Sequence, residues 1–141
     1  MTCTRKPYRL LLGCAVLIPL VHGTAWSDPA TRAAAEQAAR KMVEDASVYL
    51  GIAYLCENAL GSSHYYAALA SLEAVAIIGG KSADDAAILA DSVATAIKSD
   101  VKKKAPLSKA SACLDRMLAA QASLRVSTAK FKKAAAADST K

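Results

Sequence analysis

Histidine, aromatic rings and the short motifs of enzyme chemistry are scarce in this chain. Two histidines occur in 141 residues, with one tryptophan, one phenylalanine (Phe131) and five tyrosines. Beyond residue 27 His64 stands alone, and a lone imidazole makes no zinc site unless cysteines or clustered carboxylates join it. There is no Cys-x-x-Cys spacing, which argues against a catalytic redox pair, and no Cys-x-x-Cys-His, which excludes covalently attached haem of that type. Gly-x-Ser-x-Gly, a phosphate-cradling glycine loop and His-Glu-x-x-His are also missing. The adjacent acids Glu44-Asp45 and Asp84-Asp85 would point about 100° apart on a helix, so neither pair faces itself across a cleft as glycosidase carboxylates do. This inventory makes an enzyme the weakest expectation and implies no metal and no cofactor.

Strand signals are missing as well. The few branched residues sit among alanines, where a helical period accounts for them better than alternation does.

What is present begins with an export signal. Arg5, Lys6 and Arg9 precede an uncharged run from Leu10 to Val21, and small residues follow at the two spacings a signal peptidase accepts, for a cut after Ala25 or after Ser27. Residues 1–27 are therefore expected to be a cleaved signal peptide and residues 28–141 a single helical domain with a frayed C-terminal end. The apolar run is too short for a membrane span of about 20 residues and is broken by Gly13 and Pro19. Leu11-Leu12-Gly13-Cys14 resembles a lipobox, but that motif should close the apolar run and Ala15 to Val21 continue it. The expected location is periplasmic or secreted, with no transmembrane segment in the mature chain.

Alanine dominates the remainder. It is the best helix former and buries little area per residue, so the composition suits close-packed helices around a thin core. Four helices are expected, at about 30–60, 64–78, 83–104 and 108–135, arranged as an all-α, up-down-up-down four-helix bundle. On the first, Met42, Ala46, Tyr49, Ala53, Cys56 and Leu60 recur at alternating spacings of four and three, which places them on one face. Tyr65, Leu69, Leu72 and Ala76 form the stripe of the second. Ala86, Leu89, Val93, Ile97 and Val101 form that of the third. Cys113, Met117, Ala120, Leu124, Thr128 and Phe131 form that of the fourth. Ser62 or Ser63 is a candidate cap for the second helix, Gly79-Gly80 a stop, and Ser82 with Asp85 resembles a capping box.

After loss of the leader two cysteines are left, Cys56 and Cys113. Each lies about a turn from the same end of an antiparallel helix pair, so a disulfide between them is expected. It would close a loop of about 57 residues and contribute about 4 kcal/mol in the chain-entropy description.

Charge is divided along the chain. From Asp28 to Asp100 five basic residues stand against ten acidic ones, a net of −5; from Val101 to Lys141 ten stand against two, a net of +8. Mutual attraction of acidic and basic helices inside the fold is one use of this polarity, and a basic surface for an anionic partner is another. Lys102, Lys103 and Lys104, with Lys130, Lys132 and Lys133, are the candidate anion-binding residues. The aromatics lie elsewhere and the chain is read as exported, so nucleic acid is not an expected partner; anionic lipid or polysaccharide is the more reasonable use of such a basic surface. His64, Tyr65 and Tyr66 form the one polar-aromatic cluster, with core packing of one ring set against a partner surface for the other. The expected function is that of an exported, non-enzymatic accessory or interaction protein of the cell envelope, partnered by another envelope or secreted protein. A binding module for an apolar ligand or an anionic envelope component is the alternative, and an enzyme of unknown class the second.

Overall fold

The computed structural model describes residues 29–101, 106, 107 and 109–138. The expected signal peptide and Lys102, Lys103 and Lys104 lie outside them. All the structure described is helical, in five elements rather than four: α1 (Pro29–Leu55), α2 (Glu57–Leu60), α3 (Ser63–Ile78), α4 (Ala83–Val101) and α5 (Ala110–Asp138). Among the described residues no helix is long and apolar enough to cross a membrane.

The extra element comes from a break within the expected first helix. Cys56 is a turn between α1 and the four-residue α2, which closes at Gly61 with φ of 84°. The spacing that unites Met42 to Leu60 runs through this break unchanged because α2 stays in phase with α1. Pro29 opens α1, where its missing N–H costs no helical bond.

Local chemistry explains the other boundaries. α3 ends in a Schellman arrangement: Gly80 N–H donates to the Ile77 carbonyl at 2.9 Å, and Lys81 N–H to that of Ala76 at 3.0 Å. Gly80 adopts φ of 94°, the left-handed conformation that this motif requires and a side chain resists. Ser82 caps α4 by accepting the Asp85 N–H at 3.1 Å, while its hydroxyl donates to the Asp85 carboxylate at 2.8 Å. The expected box thus closes through side chains, since aspartate is too short to reach back to the Ser82 amide. Ser62 precedes α3 in an αR conformation and makes no side-chain capping bond, contrary to expectation.

α1 is the hub. It packs along α5 on one flank and against α3 and α4 on another, and α3 packs on α4. α5 also touches α2 but has no comparable interface with α3 or α4. The α1–α5 pair is antiparallel: stepping back from Cys56 to Tyr49 steps forward from Cys113 to Gln121. With 27 and 29 residues these helices rise about 40 Å and 44 Å, whereas α3 and α4, with 16 and 19, rise about 24 Å and 28 Å. The shorter helices therefore cannot flank the full length of α1.

The core is thin, as an alanine-rich chain dictates. Met42, Ala46, Tyr49, Leu50 and Ala53 are buried on α1, Cys56 just past its end, and Cys113, Met117 and Ala120 on α5, with Leu124 and Phe131 half-buried against them. On α4 the buried centre is Ala86, Ala90 and Ala94; of the expected stripe Ala86 is buried and Val93 and Ile97 pack against the core, so the face is the expected one rotated toward Ala90 and Ala94. Gly51 belongs to the meeting of α1 and α4, where an added Cβ would lie 4.0 Å from Cγ2 of Ile97.

Cys56 and Cys113 stand at disulfide distance, fully buried, with α-carbons 5.7 Å apart. Next to them Leu107 N–H donates to the Leu55 carbonyl at 3.1 Å, tying the chain before α5 to the end of α1.

Candidate functional site

At the cysteine end several helix termini converge, and they bring together side chains that are distant in sequence. Tyr54 comes from the last turn of α1, Tyr65 and Tyr66 from the first turn of α3, and Lys98 from the last turn of α4. Tyr65 is the centre of the group. Its ring meets that of Tyr54 edge-on at 6.0 Å between centroids and that of Tyr66 edge-on at 5.5 Å. Such edge contacts suit the aromatic quadrupole, whose positive rim faces a negative ring face. Lys98 Nζ lies 4.9 Å from the Tyr65 centroid, over the ring.

Adjacent positions on a helix diverge by about 100°, so Tyr65 and Tyr66 cannot both face inward. Tyr65 is buried, with 6% exposure, whereas Tyr66 is 64% exposed; His64 is intermediate. Of the expected partner surface, then, one ring is core, one is open to solvent, and the imidazole lies at the edge. Lys98 is held above the ordinary lysine value, chiefly by the Tyr65 hydroxyl, with burial opposing and Tyr54 and Glu57 assisting. Its charge also sits in the last turn of α4, where the helix dipole favours a cation.

Tyr54 and Lys98 belong to this cluster but carry no sequence signal. Tyr54 lies off the stripe of α1, and Lys98 is 33 positions from Tyr65. The group as a whole is three rings, one buried, one half-buried and one exposed, with a cation over the buried one. That suits recognition by stacking and hydrogen bonding.

Tyr66 is not isolated. Ala70, Ala74 and Ile77 follow it around the outward side of α3, and all are exposed. α3 carries one formal charge, Glu73, in 16 residues. A helix apolar on every side is ordinarily covered on every side. Here one side is open among the described residues.

The lysine candidates lie elsewhere. Lys130, Lys132 and Lys133 are exposed near the far end of α5. Lys130 is 17 residues from Cys113, a rise of about 26 Å. None of the three forms an ion pair, because the pairs among the described residues lie within α1: Arg32–Glu36 at 3.0 Å, Lys41–Glu44 at 3.4 Å and Lys41–Asp45 at 2.8 Å. The expected attraction between acidic and basic helices is thus not expressed as contacts. Asp45, the one buried acid among the described residues, takes its partner from its own helix, and that carboxylate in turn is the main cause holding Lys41 above the usual lysine value.

No cluster of three or more His, Cys, Asp and Glu suited to a metal ion occurs among the described residues. Comparison with protein-family models, characterised proteins and solved structures gives no match.

Proposed function

We propose that the chain is an exported, non-enzymatic interaction protein of the cell envelope, an up-down helical bundle stapled by Cys56–Cys113 that binds a second envelope or secreted protein along α3. The observation that carries this is Tyr66, exposed at the head of an apolar helix side and braced from beneath by Tyr65. Tyrosine is favoured at interfaces because it offers a large rigid area with a polar tip and few rotamers to immobilise. The leader-like first 27 residues support export, and the buried cysteine pair suits an oxidising compartment.

A photo-crosslinking residue in place of Tyr66 tests the idea in the envelope fraction. It should capture one discrete protein that the same residue at Ser123 on α5 does not. Identical adducts from both positions would sink the proposal. The exported chain should begin at Trp26 or Asp28 by mass, which separately checks the leader.

A second reading follows from Lys130, Lys132 and Lys133, exposed together and unpaired. These would hold an anionic lipid headgroup or polysaccharide, each lysine near an anionic surface adding about 1 kcal/mol. Binding to anionic vesicles should fall steeply with salt and vanish when all three become glutamine. Salt-insensitive binding would remove this reading.

A further inference from the structure

Among the described residues, two helices each lack a neighbour on their outward side, and those sides carry opposite charge around apolar residues. On α5 the outward residues include Leu114, Leu118, Ala122 and Val126, with Leu118 63% exposed, and Arg125 lies beside them. On α4 the outward side carries Ile88, 69% exposed, with Asp84 four residues before it and Asp91 three residues after. Spacings of three and four put all three on one face. The two helices share no packed interface of their own, and none of these charges is paired among the described residues.

The wider charge distribution has the same sense. Pro29 to Val101 holds five basic and nine acidic residues, whereas Lys109 to Asp138 holds six basic and two acidic. A net of −4 in α1 to α4 thus stands beside a net of +4 in and just before α5, with no ion pair between them among the described residues.

We infer that the occupant of the α5 face is a second copy of this chain, presenting α4. The register is specific. Placing Ile88 over Ala122 in antiparallel pairing seats it between Leu118 and Val126 and sets Asp84 against the Arg125–Val126 turn. Asp91 then falls over Ala119 and gains no partner, so Asp84 with Arg125 is the selecting pair. From Leu118 to Val126 the rise is about 12 Å, enough to accept one branched side chain between two apolar ridges. Apolar contact supplies the adhesion, and charge selects the face and speeds encounter. The contact joins unlike surfaces, so it is either reciprocated in a two-fold dimer or repeated from copy to copy. It uses neither Tyr66 nor the outward side of α3, so it can fail while the proposed partner surface stands.

Sedimentation velocity on the oxidised chain, across concentration and at about 50 mM and about 500 mM salt, reads the association directly. The expected result is a species larger than the monomer that weakens at least about tenfold in the higher salt. Arg125→Glu should weaken association about tenfold or more, and so should Asp84→Lys. The chain carrying both changes should recover it. All these positions are exposed, and circular dichroism checks that each variant stays helical. Ile88→Ser should abolish the larger species. A monomer at every concentration in low salt overturns the inference, as does association that the single reversals leave unchanged or the double reversal fails to restore.

Discussion

Tyr49 shows how a thin core tolerates polarity. Its ring is buried, and its hydroxyl accepts from Nε2 of Gln121 at 2.6 Å across the α1–α5 seam. Gln121→Leu should leave that hydroxyl without its partner and cost about 1–3 kcal/mol. Tyr49→Phe frees the half-buried amide to turn to water and should cost about 1 kcal/mol. Urea unfolding of both variants and their double gives the coupling, and additive effects would mean that the bond contributes nothing. The place of Tyr49 was legible in the four-three spacing of its helix. Its partner was not, because Gln121 is polar and lies off the apolar stripe of α5. The same limit governs the tyrosine cluster. Helical divergence alone divides Tyr65 from Tyr66, but the cation over Tyr65 arrives from another helix, and no local pattern encodes that. Lys98 has a raised value, so its contribution to stability is complete below the ordinary lysine value and is lost as pH rises through the raised one. At neutral pH the contact is therefore fully in place.

At the scale of elements, the glycines divide into those that the backbone requires and those it does not. Gly80 has φ of 94°, and alanine there should destabilise by about 1–2 kcal/mol. Gly51 lies within α1, and a methyl group would make only ordinary contact with Ile97. Gly51→Ala should stabilise by about 0.5–1 kcal/mol, since glycine in a helix interior loses more backbone entropy on folding. Denaturant midpoints measure both, and loss of stability in Gly51→Ala would mean that α1 and α4 pack more closely there than the geometry indicates. Start and stop signals were readable because they are local: Gly79-Gly80 and Ser82 with Asp85 act within a few residues. The break at Cys56 was hidden, because the apolar spacing crosses it in phase. The core face of α4 was only partly legible for a related reason. Periodicity weights bulky residues, whereas Ala86, Ala90 and Ala94 take the buried centre and leave the branched side chains to flank it. Small residues allow helices to approach, and that choice depends on neighbours outside the segment.

For the whole molecule, the cysteine pair and the separation of charge are the organising facts. Serine at both Cys56 and Cys113 should lower stability by about 4 kcal/mol, read by chemical denaturation of the oxidised chain against the double variant. A difference near zero would place the two thiols among ordinary core residues. Position along two antiparallel helices was enough to pair these cysteines from sequence. The segregation of acids from bases was equally legible, but its use was not, since ion pairs depend on which flank of α1 each helix occupies. The bridge is also eccentric. It closes α1 and α5 at one end only, and at the other end those helices outrun α3 and α4. The pair therefore behaves as a pair of tweezers with its pivot at Cys56 and Cys113. Opening a free end costs only the local seam, while opening near the pivot requires the whole body to unfold. Amide exchange should thus slow progressively from Ala35 toward Ala53 on α1 and from Phe131 back toward Met117 on α5, giving a chain of uniform helicity a built-in gradient of persistence.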